Sequence, residues 1–185
     1  MSDLLQNISI KALAPEAFEA NFAGLTQLLF DCVQAGASVN FVMPFPLEES
    51  AAFWRRKVEG PLMGGRLGVW VAEQEQRIVG SVQLDLDTPP NQPHRAEVRK
   101  LLVHPDVRRR GVGRALMLAL EDFAAGRGRH LLTLDTRSGD AAEPLYLGLG
   151  YQPIGQIPGF SRDTFTDRLD ATTIMYKTLA PGEAA

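Results

Sequence analysis

Arg108-Arg-Arg-Gly-Val-Gly-Arg114 stands between an apolar, strand-like run, Glu97 to Val103, and a helix-like run, Val112 to Phe123. A strand that enters a helix through a short glycine-rich, basic loop is a candidate anion cradle. Gly111 and Gly113 put no side chain between the backbone and an incoming group, so the free N–H donors of the first helical turn can point at phosphate oxygens. The helix start adds a partial positive charge, worth about 0.3–1 kcal/mol on an exposed surface, and the arginines add full charges. Taken alone the pattern is short and equally a solvated turn; the flanking strand, His104-Pro105 and amphipathic helix give it its meaning.

Outward from that loop the chain alternates elements. On the C-terminal side, Val112, Leu116, Ala119, Leu120 and Phe123 give the helix a buried stripe that Gly126 and Gly128 end. Leu131 to Thr136 reads as a strand apolar enough to be buried on both faces. Ala141 to Leu149 is a short helix, and Thr172 to Thr178 a last strand paired with the Gln152 to Phe160 segment. On the N-terminal side, Asn7 to Leu13 alternates as a half-exposed strand. A helix opened by Pro15 carries Phe18, Phe22, Leu25, Leu29, Cys32 and Val33 at spacings of three and four. A second helix runs from Leu47 to Val58 and is expected to stop at Gly60-Pro61. Leu67 to Glu73 and Ile78 to Leu86 form a hairpin. An α/β domain with a mixed sheet follows, a single domain over 1–179 with a disordered tail at 180–185.

The 185 residues are 45% hydrophobic and 22% charged, which suits one core. A net charge of −3 argues against a general nucleic-acid or anionic-membrane surface, so the basic loop is placed charge. The single cysteine, Cys32, excludes an internal disulfide and lies on an apolar helix face as a small buried thiol. No basic region followed by an apolar run opens the chain, and no window approaches the roughly 18 apolar residues of a membrane span. A cytoplasmic, soluble protein is expected. His94 and His130 lack partners at metal-ligand spacing, so no metal site is expected, and His104 reads as a turn element.

The loop and its surroundings resemble the Gcn5-related N-acetyltransferases, the GNAT superfamily. The family's coenzyme A signature, Gln/Arg-x-x-Gly-x-Gly/Ala, is carried by Arg108, Gly111 and Gly113 after Leu101-Leu102-Val103-His104-Pro105. Thr133-Leu-Asp-Thr136 and Leu145-Tyr-Leu-Gly-Leu-Gly-Tyr151 are similar to its following strand and helix. Gly36-Ala-Ser-Val-Asn-Phe41, Arg95-Ala-Glu-Val98, Leu134-Asp-Thr136 and Gln156-Ile-Pro-Gly159 are similar, in that order, to the tabtoxin resistance acetyltransferases. The resemblance implies a GNAT fold, a mixed and mostly antiparallel sheet with two splayed central parallel strands, here Ala96 to Val103 and Leu131 to Thr136, flanked by helices. It implies acetyl-CoA as cosubstrate. Arg109, Arg110, Gly111, Val112, Gly113 and Arg114 are expected at the pyrophosphate, with Arg108 holding the loop. Backbone groups of Leu101, Leu102 and Val103 are expected at the pantetheine arm, unpaired at Leu101 and Val103 because the strands splay. Many GNAT proteins carry an asparagine after the second parallel strand; here Ser138 or Asp140 takes its place as the candidate cofactor contact.

Acetyl transfer needs a neutral amine, and an alkyl ammonium of pKa about 10.4 reaches that form at neutral pH for roughly 4 kcal/mol unless a base takes the proton. Glu97 lies eleven residues before Arg108, the spacing at which Gcn5-type histone acetyltransferases carry their base, and Asp135 on the next strand is the second candidate. Either serves as base, or both bind a cationic acceptor, or they are ion-pair partners of Arg95, Arg99 and Lys100. Tyr146 occupies the family's general-acid position and can give a proton to the departing thiolate. Asn40 and Phe41, in an apolar loop between two helices, are candidate acceptor contacts or a plug for the core. The expected activity is transfer of acetyl to a small amine-bearing molecule, amino-acid-like or a β-lactam toxin; the alternatives are a protein or peptide amine, and a non-catalytic acyl-CoA sensor. A homodimer is expected through an edge near Thr172 to Thr178.

Overall fold

The computed structural model describes residues 7–180. In chain order these build β1 (Ile8–Ala12), α1 (Phe18–Gln34), α2 (Leu47–Phe53) and, after a π-helical stretch at Trp54–Glu59, α3 (Gly60–Met63). Then come β2 (Leu67–Gln74), β3 (Arg77–Asp85), β4 (Arg95–Val103), α4 (Val112–Gly126), β5 (Leu131–Arg137), α5 (Ala142–Gly148), β6 (Gln152–Arg162) and β7 (Leu169–Thr178). One sheet holds all seven strands in the order β1-β2-β3-β4-β5-β7-β6.

Two apolar clusters sandwich that sheet. Leu25, Leu29, Trp54 and Val58 pack against Val69 and Val71 on one face, and Leu116, Leu120 and Ala124 of α4 pack against Ala96, Val98, Leu132 and Leu134 on the other. The hairpin of β2 and β3 turns through Glu75 and Gln76, both at positive φ, the conformation that a two-residue turn matching strand twist requires.

All pairings are antiparallel except that of β4 with β5, which is parallel and brief: Arg95↔Leu131, Ala96↔Leu132 and Glu97↔Thr133 are in register and no residue beyond Glu97 is. The two strands then diverge, as expected of the splayed pair. The opening between them is where the chain has spare backbone donors and acceptors.

Three expectations are corrected. The helix after Leu47 does not stop at Gly60-Pro61 but runs through them to Met63; the widened π turn just before Pro61 absorbs the residue that has no N–H to give. Strand β5 is not buried on both faces: Leu132, Leu134 and Thr136 are buried while Asp135 between them is exposed, because the splay removes the neighbour that would cover that side. The Thr172 to Thr178 segment is not an edge, since β7 lies between β5 and β6, and the sheet's free edges are β1 and β6. Of the expected tail at 180–185, residues 181–185 lie outside the described residues.

Candidate active site

The divergence of β4 from β5 opens a cleft of about 750 Å³, closed at one end by α4 and α5 and at the other by the segments after α1 and at the end of β6. At its α4 end Gly111 sits at φ 84 and caps the helix. The first intrahelical bond runs from the Ala115 N–H to the Gly111 carbonyl, so the amides of Val112, Gly113 and Arg114 have no acceptor within the helix. Gly113 is tight for a different reason: a Cβ there would lie 3.1 Å from a Leu145 methyl, which would have to give way, and 3.6 Å from Val103. Arg109 is held at φ 64, and the Arg114 guanidinium donates to the Gly148 carbonyl at 3.1 Å, tying the loop to α5.

Arg108 holds the loop by donating from Nε to the Val103 carbonyl at 3.2 Å. That carbonyl, expected to be free for the pantetheine arm, also faces the Cys32 thiol at 3.6 Å, so it is not left unpaired. Leu101 falls at a break in the β3–β4 register, where it and Lys100 share one opposite residue, Val82. Leu102 lines the cleft while its side chain fills the core. Arg108, Arg109, Gly111, Val112, Gly113 and Arg114 all border the cleft, whereas Arg110 does not. Ser138 does not either: its hydroxyl is turned to Thr173 at 2.8 Å, and Asp140, paired with Arg137 at 3.3 Å, is the residue of that loop on the cleft wall. The donor set of free amides and guanidinium groups fits a pyrophosphate.

Glu97, Asp135 and Tyr146 border the same cleft. Glu97 is half exposed with Arg99 Nε 3.9 Å away, and the Asp135 carboxylate accepts from the Thr172 hydroxyl at 3.2 Å. Of the three cations expected to pair with Glu97, only Arg99 does, and its shorter bond goes to Asp85 at 2.6 Å. Arg95 is taken by Gln92 and Thr133. Tyr146 is 6% exposed, and its ring packs on Tyr151 with centroids 5.7 Å apart. Burial, with Asp135 and Asp140 adding to it, pushes its phenol well above the ordinary range, so the hydroxyl holds its proton at neutral pH.

Asn40, exposed and at φ 70, reaches the cleft wall. Phe41 does not border the cleft; its ring packs at a tilt on Phe45 and edge-to-face with Phe53, behind Lys100. Lys100, along with Phe160 and Thr172 on the β6–β7 side, is a cleft residue that sequence reasoning did not single out. No group of three His, Cys, Asp or Glu residues able to hold a metal occurs among the described residues.

The acetyltransferase (GNAT) family model matches residues 33–151, nearly two thirds of the chain, from the end of α1 to Tyr151. The chain belongs to the GNAT family. Among curated relatives, human N-acetyltransferase 8 is 35% identical over 89 residues, covering 47% of this chain and 39% of that protein. Rat N-acetyltransferase 8B is 34% identical over 91 residues, covering 48% and 41%. The matched segments thus span well under half of those relatives. Two solved structures superpose at a TM-score of 0.75: a ribosomal-protein-alanine N-acetyltransferase from Brucella melitensis, at 23% identity over 92% of this chain and 99% of that one, and yncA, a putative acetyltransferase from Salmonella typhimurium solved with acetyl-CoA, at 22% over 96% and 97%. At such identities they share the GNAT fold with this chain. No helix among the described residues is long and apolar enough to cross a membrane.

Proposed function

We propose that this chain is an acetyl-CoA-dependent N-acetyltransferase that passes the acetyl group directly to the amine of a small molecule. One observation carries the reading: the free amides at the start of α4, two carboxylates and a buried, protonated tyrosine border one cleft between diverging parallel strands. Bound acetyl-CoA supplies the acetyl group, activated as a thioester. The amides of Val112, Gly113 and Arg114, with Arg109 beside them, hold its pyrophosphate, and Leu101 lies along its arm. Glu97 or Asp135 takes a proton from the acceptor's ammonium group at a carboxylate oxygen, leaving a nitrogen lone pair free to form the new N–C bond. Tyr146 gives its hydroxyl proton to the sulfur as the C–S bond breaks, and the second proton that the nitrogen sheds on becoming an amide restores the phenol through solvent.

The likeness of Gly36 to Phe41 and Gln156 to Gly159 to the tabtoxin resistance acetyltransferases supports an amino-acid-like or β-lactam acceptor over a protein amine. Thiol release from acetyl-CoA over a panel of amino acids, β-lactam amino acids, polyamines, aminoglycosides and peptides tests the reading. Amine-dependent release is expected, with kcat reduced about 100-fold or more in Tyr146→Phe and in at least one of Glu97→Gln and Asp135→Asn, and acetyl-CoA affinity little changed. Acetyl-CoA bound tightly with no release from any amine points to a sensor instead.

A further inference from the structure

In an uninterrupted strand Val98, Lys100 and Leu102 would share a face. Here they do not. Val98 packs on the α4 side of the sheet together with Leu101 and Val103, three and five residues on, while Leu102 packs on the α1 side. Pairing with β3 shows why: Gln83 faces Arg99 but Ser81 faces Leu102, so Lys100 and Leu101 together stand opposite Val82. One residue has been inserted, and Lys100 takes the left-handed conformation, φ 51, that such a bulge requires. The insertion reverses the alternation. Glu97 and Lys100, three apart and so destined for opposite faces, come to point to the same side, the one covered by α1 and α2.

On that side the Lys100 ammonium lies 5.8 Å from the Phe41 ring and 5.8 Å from the Phe53 ring. Among the described residues it has neither ion pair nor hydrogen bond, although Glu97 and Asp135 line the same cleft. Burial, and then Arg99, lower its pKa to about 8 against the opposing pull of Asp135 and Glu97, so it remains largely charged at neutral pH. A cation withheld from two neighbouring carboxylates, backed by aromatic walls and opening on a cleft, has its donors directed at whatever enters. The phosphate-binding amides lie past the end of β4, at the start of α4, so the cofactor's phosphates have their own partners.

We propose that Lys100 binds a carboxylate of the acceptor while Glu97 and Asp135 face its amine, so that this cleft selects small zwitterions carrying both groups over amines, amides and internal peptide positions. The inference rests on the acetyl-transfer reading of the cleft. It makes Lys100 a specificity-determining residue, and gives a use to the bulge, since the inserted residue brings to the face that carries the two acids a cation that, unlike Arg99, has no ion pair among the described residues.

Matched probes test it: amino acids of aromatic, aliphatic and basic type, each with its primary amide and its decarboxylated amine. Their equilibrium affinity for the CoA-saturated protein is measured by calorimetry, and their kcat/KM by thiol release. The acid member of at least one set is expected to bind about tenfold or more tightly than its amide, roughly 1.4 kcal/mol. Lys100→Gln should erase that ratio with acetyl-CoA affinity retained as proof of folding, and Lys100→Arg should restore it. Equal affinity of acid and amide in every set, or a preference that survives Lys100→Gln, overturns the proposal. Turnover of amines without any Lys100-dependent preference leaves the acetyltransferase and removes the carboxylate site. Lys100-dependent binding of acids without turnover does the reverse.

Discussion

Lys100 carries a cost that its position makes measurable. Its folded pKa of about 8 lies below the ordinary 10.5 because burial disfavours the charged form. Below pH 8 folded and unfolded chains both hold the proton, and the folded state bears the whole penalty of the buried cation. Between pH 8 and 10.5 the folded chain has released a proton that the unfolded chain still holds, so stability rises with pH through that window and levels off above it. Lys100→Met is expected to remove this rise and, at pH 7, to stabilise the protein by about 1 kcal/mol, a figure discounted because the ammonium is partly open to solvent. Urea unfolding of both proteins at pH 7, 9 and 10.5 checks it; a parallel pH dependence in the variant would show that the rise belongs to other groups. Cys32 is the opposite kind of group. Burial pushes its thiol up to about 11, with Arg108 only partly offsetting it. A disulfide reagent at pH 8 should therefore find no reactive thiol in the native protein and one in urea, and thiol-release assays should show no protein background. Little of this was legible in the sequence. Glu97 could be singled out by its spacing from a recognisable loop, and Tyr146 and Asp135 by their resemblance to family positions, but the unpaired state of Lys100 depends on a one-residue insertion that exists only against β3.

At the scale of elements, α4 is held where its free amides face the cleft by the absence of a side chain on the strand beneath it. A Cβ at Gly80 would lie 3.0 Å from Leu116, 3.1 Å from Val112 and 3.1 Å from the Leu102 carbonyl, and the last of these is backbone and cannot swing aside. Gly80→Ala is expected to lift the first turns of α4 from β3, costing about 1–3 kcal/mol in urea unfolding. Because Val112 begins the turn proposed to hold the pyrophosphate, the variant should also bind acetyl-CoA several-fold more weakly at temperatures where it is fully folded. A variant that loses stability yet binds as the parent does would show that the cradle does not depend on that packing. The start and stop of α4 could be read from local signals, Gly111 before its apolar stripe and Gly128 after it, since helix ends are decided within a few residues. The continuation of the earlier helix through Pro61 could not, because the π turn that accommodates the proline is stabilised by the burial of Trp54 and Val58 in the core. Strand order was the least accessible: β7 slips between β5 and β6 through pairings that join residues up to 47 positions apart, such as Leu131↔Thr178, and no window of sequence contains such a pair.

For the molecule as a whole the splay is the organising strain. The sheet is continuous from β1 to β4 and from β5 to β6, but the two halves share only three registered residue pairs, so beyond Glu97 they are joined by the helices packed across them rather than by strand bonds. A ligand that lies in the opening, held by the α4 amides on one side and bordered by Asp135, Tyr146 and Leu145 on the other, binds only the folded arrangement of both halves. Acetyl-CoA is thus expected to stabilise the fold by mass action, about 2.7 kcal/mol at a concentration 100 times its dissociation constant, seen as a melting temperature that climbs with ligand concentration. The exposed guanidinium groups of Arg108 and Arg109 are expected to make part of that affinity electrostatic. Raising the salt from roughly 0.05 to 0.5 M should therefore shrink the shift, as the screening length falls from about 13 Å to about 4 Å. Acetyl-pantetheine, which keeps the arm and the thioester and lacks the pyrophosphate, should give a much smaller shift with little response to salt. Equal shifts from the two ligands would mean that the arm alone bridges the halves and that the Arg108 to Arg114 loop contributes no binding energy of its own.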